Sequence, residues 1–193
     1  MDINLKEVHG NWAAGYALDK HTVSSTFDGY DDNGHPKFTT IRTEVGEATY
    51  QLKYRQDWTK TVPLAQEIHE KIIPALGVKI GFVVPMPASN ERERQPVTEV
   101  ANEVAKLLNV PCFDGMLTKT KGQSLKNLHT KEEKIQALEG TFSLNELITN
   151  NGKWNVLVVD DLFDSGATME AACSKLRSYN KVNNVYVATL TWK

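Results

Sequence analysis

Val156 to Met169 reads VLVVDDLFDSGATM, and no other stretch restricts the fold of this chain so tightly. The run Val156-Leu157-Val158-Val159 is apolar at every position, which suits a strand buried on both faces, as in a parallel sheet. Two carboxylates, Asp160 and Asp161, stand at its C-terminal end. The turn Asp164-Ser165-Gly166-Ala167-Thr168 then runs into a helix expected to continue to about Tyr179, with Asp164 or Ser165 as its cap. In an open α/β sheet, ligands bind outside the carboxyl ends of the strands. A helix N-terminus offers free N–H groups and partial positive charge to a phosphate. Gly166 lets the backbone come close, and Ser165 and Thr168 add hydroxyl donors. Two acids cannot favour that same phosphate, so they are expected to face sugar hydroxyls or a cation. The combination suits a sugar phosphate.

The string resembles the phosphoribosyl pyrophosphate (PRPP) signature of type I phosphoribosyltransferases: apolar run, two acids, two apolar residues, then a small polar turn with Gly and Thr. Phe163 departs mildly, since that position is usually aliphatic. The resemblance implies that Asp160 and Asp161 meet the ribose 2′ and 3′ hydroxyls. It implies that residues 164 to 168 hold the 5′-phosphate. Asp164 stands where many relatives carry an Asp that hydrogen-bonds the base or acts as general base. Strand-end acid pairs also occur in response-regulator receiver domains, but near the domain's start. Here only Glu170 to Lys193 follow, room for one helix and one strand.

The remaining chain reads as alternating elements. Apolar spacing predicts helices over Thr43–Lys53, over the Leu64-Ile68-Ile72-Leu76 stripe closed by Gly77, and over Val97–Leu108; Lys131–Leu138 reads as a short helix. Strands are expected at Trp12–Ala17, Phe38–Ile41, Ile80–Val84, Val110–Phe113, Thr141–Leu144, Trp154–Val159 and Val185–Thr191. Strands alternating with helices predict an α/β fold with a mostly parallel twisted sheet flanked by helices. The turn-rich GYDDNGHP stretch, Gly29–Pro36, between the first two strands suggests a small N-terminal hairpin or hood. The expected division is residues 1–42 as that extension and 43–193 as the phosphoribosyltransferase core.

A second ligand-facing segment follows the strand ending at Val84. Pro85-Met86-Pro87-Ala88-Ser89-Asn90-Glu91-Arg92-Glu93-Arg94 occupies the chain position of the family's pyrophosphate loop. It resembles the ComF branch (competence-associated phosphoribosyltransferase-like proteins), with a Pro-x-Pro run and an Arg-rich turn. That likeness implies Ser89, Arg92 and Arg94 at the pyrophosphate, where a planar guanidinium engages two phosphate oxygens. The polar stretch Thr118–Thr130 reads as a mobile loop. In relatives a loop here closes over PRPP, which would bring Lys119 or Lys121 to the leaving group. Lys53-Tyr54 also matches a dipeptide common in ComF-like chains. The cysteine-rich zinc segment that usually opens ComF proteins is not matched, since no cysteine precedes Cys112.

Whole-chain properties bound the partners. At 193 residues and formal charge −2, the chain suits one domain and gives no bulk signal for nucleic acid. Cys112 and Cys173 lack CxxC spacing and suggest neither a disulfide framework nor a zinc site. The N-terminus lacks an apolar leader and no stretch suits a bilayer, so a cytoplasmic protein is the expectation. The family likeness implies PRPP and Mg2+ as ligands, with Asp160 and Asp161 reaching the metal only through ribose or water. It implies displacement of pyrophosphate at ribose C1 by a small nitrogenous acceptor, and a homodimer as the common assembly. A PRPP-sensing or partner-binding regulator of the same fold remains the alternative. DNA uptake is disfavoured by the missing cysteine cluster.

Overall fold

A computed structural model describes residues 1–88, 90, 92–120, 128–138 and 140–193. The strands are β1 (Lys6–Glu7), β2 (Ala14–Lys20), β3 (Thr22–Tyr30), β4 (Pro36–Arg42), β5 (Phe82–Pro85), β6 (Leu117–Lys119), β7 (Phe142–Leu144), β8 (Trp154–Phe163) and β9 (Val182–Trp192). The helices are α1 (Glu44–Arg55), α2 (Thr61–Glu67), α3 (Ile73–Leu76), α4 (Pro96–Leu108), α5 (Lys131–Leu138) and α6 (Ala167–Arg177). The central sheet runs β1-β2-β9-β8-β5. Its strands β2, β9, β8 and β5 are mutually parallel, and only the short edge strand β1 is antiparallel. The expected α/β architecture with a mostly parallel sheet and flanking helices is therefore present.

Period-two alternation divides the interior into two cores. Val156 and Val158 face one layer, built with α6 residues Met169, Ala172, Cys173 and Leu176. Leu157 and Val159 face the other, built with α1, the α2–α3 run and α4 through residues such as Leu52, Ile68 and Val104. All four β8 residues are fully buried, as the unbroken apolar run demands. The Leu64–Leu76 stripe is one helical run containing a π turn at residues 68–72, where Ile73 N–H reaches back to Ile68 C=O. Pro74 follows at once; it has no N–H to donate, and a widened turn relieves its ring against the preceding carbonyls.

Several expectations need correction. The sequence pairs Trp12–Ala17 with Phe38–Ile41, but Ala14–Lys20 enters the central sheet parallel to β9, with Ala17 and Leu18 fully buried. The partner of β4 is β3, whose sequence TVSSTFDGY shows no apolar alternation because most of its residues are exposed. Its turn is held by Asp31 Oδ1, which accepts from Asn33 N and His35 N at 2.8 Å each. The expected extension over residues 1–42 thus divides: β1 and β2 belong to the main sheet, and residues 22–42 form a separate hairpin. Val110–Phe113 makes no strand, only a single parallel bridge from Cys112 to Val83, since Pro111 cannot donate and Asp114-Gly115 turns the chain away. Strand β8 continues past Val159 to Phe163, so the acid pair lies within the strand and not after it. The loop expected over Thr118–Thr130 begins instead as β6, paired with β7; its residues 121–127 lie outside the described ones. Among the described residues no helix is long and apolar enough to cross a membrane.

Candidate active site

The pleat of β8 sends its two acids to opposite faces. Asp160 shares its side with Val158 and α6; Asp161 shares its side with Val159 and α1. Asp160 Oδ1 accepts from the Asp161 N–H at 2.8 Å. Asp161 is ion-paired with Lys53, on the last turn of α1. Its backbone carbonyl accepts from Thr191 Oγ1 at 2.8 Å, and that hydroxyl lies 3.2 Å from His21 Nδ1. The junction of β2 and β3 is thereby joined to the acid pair.

The electrostatics follow from this crowding. Desolvation first, and the charge of Asp161 second, push the Asp160 carboxyl well above the usual carboxylate range, against Lys53 and Lys119. For Lys53, burial pulls the ammonium down, but the charge and hydrogen bond of Asp161, helped by Tyr54 and Asp160, hold it above its ordinary value. Lys119 is lowered, because burial outweighs the attraction of Asp160. Burial also lowers His21, aided by Arg42 and Lys53 and opposed by Asp161 and Glu47.

The turn after β8 forms a cup. The cap of α6 is Gly166, at φ 81° and ψ −6°, and not Asp164 or Ser165 as expected. Among the described residues no side chain caps the helix through the usual bond. Ser165 Oγ accepts from Ala167 N at a long 3.4 Å. A glycine cap in place of a side-chain oxygen leaves the first-turn N–H groups for an incoming anion. The cup opens into a cavity of about 410 Å³ lined by Asp164, Ser165, Gly166 and Thr168, with Lys134 of α5 and the terminal Lys193 on its other walls.

A second cavity of about 250 Å³ lies on the other side of Asp160, lined by Asp161, Lys53, Arg92, Lys119 and the Pro87-Ala88 turn. Asp160, Leu162 and Thr168 border both cavities. One cavity is therefore a hydroxyl- and amide-lined cup, the other a cationic chamber, and Asp160 stands at their junction with Asp161 beside it in the chamber.

The candidate residues distribute unevenly over this geometry. Asp160, Asp161, Asp164, Ser165, Gly166 and Thr168 are brought together, and Ala167 is buried behind the cup with its N–H in the first turn. Arg92 lines the cationic chamber, and its Nη1 donates to the Lys53 carbonyl at 2.6 Å. Lys119 lines it from β6. Arg94 does not: its guanidinium pairs with Glu99 at 2.7 Å and lies over the Trp58 ring at 4.2 Å, in a neighbouring depression. Ser89 and Lys121 lie outside the described residues. Nothing in the sequence singles out Lys134 or Lys193, because a lone lysine outside any motif looks solvated. The Lys53-Tyr54 dipeptide alone marks Lys53, and no pattern announces its contact with Asp161. As for a metal, no group of three His, Cys, Asp or Glu side chains could hold one among the described residues. The two carboxylates fit Mg2+ only as partners to ligand oxygens and water, the way this ion is commonly bound.

No family model matches the chain, and no curated protein matches it. Solved structures similar to it include adenine phosphoribosyltransferase from Thermoanaerobacter pseudethanolicus, at 13% identity over 89% of this chain and 95% of that one, with TM-score 0.46. Another is adenine phosphoribosyltransferase from Trypanosoma brucei in complex with AMP, pyrophosphate and ribose-5-phosphate, at 13% identity, covering 100% of this chain and 87% of that one, TM-score 0.44. A third is Leishmania donovani UMP synthase, at 13% identity over 88% of this chain, TM-score 0.45. The chain spans only 29% of that UMP synthase and 63% of a Staphylococcus aureus hypoxanthine phosphoribosyltransferase. Likenesses this distant assign no activity.

Proposed function

We propose that this chain is a Mg2+-dependent phosphoribosyltransferase that uses PRPP and transfers the phosphoribosyl group to a small nitrogenous acceptor. The observation that carries the proposal is the junction of the two cavities at Asp160 and Thr168. PRPP has a phosphate at one end, a diol in the middle and a pyrophosphate at the other. The amide cup, the acid pair and the cationic chamber offer complementary chemistry in that order. The signature and the Pro-x-Pro, Arg-rich and Lys53-Tyr54 segments support a place near the ComF branch.

In this reading the cup of residues 164–168 takes the 5′-phosphate through backbone N–H groups and the Thr168 hydroxyl. Asp160 and Asp161 take the ribose hydroxyls. Arg92 and Lys119 take the pyrophosphate, with Ser89, Arg94 and Lys121 as further candidates for it. At C1, the bond to the acceptor nitrogen forms as the bond to the pyrophosphate oxygen breaks, and the electron pair leaves with pyrophosphate. Asp164, exposed at the mouth of the cup, is the proposed acceptor of the nitrogen's proton. A Mg2+ ion arriving with PRPP would neutralise leaving-group charge, with Asp160 and Asp161 reaching it through ribose oxygens or water. The protein's own contribution is positional and electrostatic. The hairpin over residues 22–42 rises from the same sheet edge and is proposed as the acceptor hood.

The test is calorimetric titration with PRPP and Mg2+, then pyrophosphate release with purine, pyrimidine and amine acceptors. Binding with release supports the enzyme. Binding without release from any acceptor leaves the regulator. Absence of PRPP binding at millimolar ligand refutes both.

A further inference from the structure

Within the proposed site one cation is tied to both ligand-facing segments at once. Lys53 Nζ meets the Asp161 carboxylate, while the Lys53 carbonyl accepts from Arg92 Nη1 at 2.6 Å. The pair is largely withdrawn from water: the Lys53 side chain is 34% exposed and that of Asp161 15%. Lys53, Asp161, Arg92 and Lys119 line the same cavity. The Lys53 ammonium is the cation that the Asp161 carboxylate touches, so it fixes where that carboxylate points. Helix α1 supplies that cation from the opposite face of the sheet to the cup. The α1 geometry makes the arrangement firm. Thr43 Oγ1 accepts from Gly46 N at 2.9 Å and donates to Lys20 O at 2.6 Å, which pins the start of the helix to the end of β2. Leu52, next to Lys53, is buried in the core and fixes the helix's other end.

We infer that Lys53 is a positioning residue for sugar binding: its ion pair aims the Asp161 carboxylate into the cleft and links it to the Arg92 segment. The inference rests on the proposed phosphoribosyl site and deepens it. Lys53 acts through Asp161, so its removal should damage recognition of the ribose and spare recognition of the phosphate, which lies in the cup beyond Asp160. Helix α1 ends shortly after Lys53, at the left-handed cap of Gln56.

The test is calorimetric titration of the full chain with ribose 5-phosphate, and with inorganic phosphate as comparison, for wild type, K53M, K53R, D161N and K53M/D161N. K53M should weaken ribose 5-phosphate about tenfold or more, as expected when one member of a withdrawn ion pair is removed. Inorganic phosphate should bind as in wild type. K53R should recover most of the loss. The double variant should bind no worse than D161N alone, because the two residues act as one unit. Wild-type affinity in K53M, or additive losses in the double variant, overturns the inference while leaving the phosphoribosyl reading intact. If K53M does not fold, K53R and K53Q carry the comparison, and equal losses in both overturn it. Wild-type protein that ignores ribose 5-phosphate overturns the inference together with the reading beneath it.

Discussion

Replacing Gly166 with alanine tests the geometry of the cup most directly. The residue sits at φ 81° and ψ −6°, where an L side chain is strained by about 1–2 kcal/mol. The added methyl would also meet Phe163 Cζ at 3.0 Å and Cε2 at 3.1 Å. That ring packs edge-on against Trp12, with centroids 6.0 Å apart, and it lines the cup. Moving it off its rotamer costs about 0.5–1.5 kcal/mol more. The total, about 1.5–3.5 kcal/mol, corresponds to a fall in melting temperature of roughly 4–10 °C for a domain this long. A matched control exists in the hairpin turn: Gly34 has φ 77°, and a methyl added there would meet nothing within 4 Å among the described residues. Gly34→Ala should therefore show the backbone strain alone. Denaturant unfolding of both variants separates strain from collision, and titration with ribose 5-phosphate reports the displaced ring. If Gly166→Ala is no less stable than Gly34→Ala and binds ribose 5-phosphate normally, the argument that Phe163 and Gly166 shape the cup is wrong.

Three further outcomes are expected. Asp160→Asn with Asp161→Asn should weaken PRPP and ribose 5-phosphate while circular dichroism stays unchanged, since both acids border open cavities; normal PRPP affinity would refute the ribose assignment. Thr168→Val should cost about 1.5–3 kcal/mol of ribose 5-phosphate affinity through loss of a charge-assisted hydrogen bond, and unchanged calorimetric affinity would make Thr168 structural only. The Cys112 and Cys173 thiols are pushed up to about 12, by desolvation first and then by Asp114 and Glu170 respectively. Neither should be alkylated by iodoacetamide at pH 8 until the protein unfolds. Because the folded thiols hold their protons longer than unfolded ones, stability should fall as pH rises above about 8.5, where unfolded thiols ionise.

How much of this is legible in the sequence depends on where each residue's partners lie. The β8 signature can be read because its information is local: an unbroken apolar run, two acids and a glycine turn occupy consecutive positions. Helix α4 is legible from apolar spacing and from punctuation at Pro96. Strand β3 is hidden because its faces are exposed and carry no alternation. The parallel pairing of β2 with β9 joins residues about 170 positions apart, and nothing in either segment names the other. The same limit explains the site. Arg92 and Arg94 look equivalent in ERER, yet one donates to Lys53 and the other turns back to Glu99 and Trp58. Only the three-dimensional course of the loop separates them.

Lys134 offers a sharper case of a residue that local sequence undervalues. It sits on α5, an eight-residue helix that is weakly amphipathic and short for independent stability. The helix is nonetheless held in place. Leu138 is buried in the core, Lys131 Nζ reaches Glu170 Oε1 on α6 at 2.8 Å, and Glu133 Oε2 accepts from His129 N and Thr130 N at 2.9 and 3.0 Å. Glu133 and Thr130 form a reciprocal box, since Thr130 Oγ1 also accepts from Glu133 N at 3.1 Å. With its start capped and its end buried, α5 presents Lys134 to the cup opposite the α6 N-terminus. A lysine there adds charge to what backbone N–H groups already supply, and as a partly exposed cation its share is modest. Lys134→Ala should weaken ribose 5-phosphate by about three- to tenfold, with the loss shrinking as salt screens the charge. Glu170→Gln, which loosens the tether to α6 without touching the cup, should produce a smaller loss of the same kind. Equal affinity for wild type and Lys134→Ala at low salt would mean that α5 merely walls the cavity and that the phosphate is held by α6 alone.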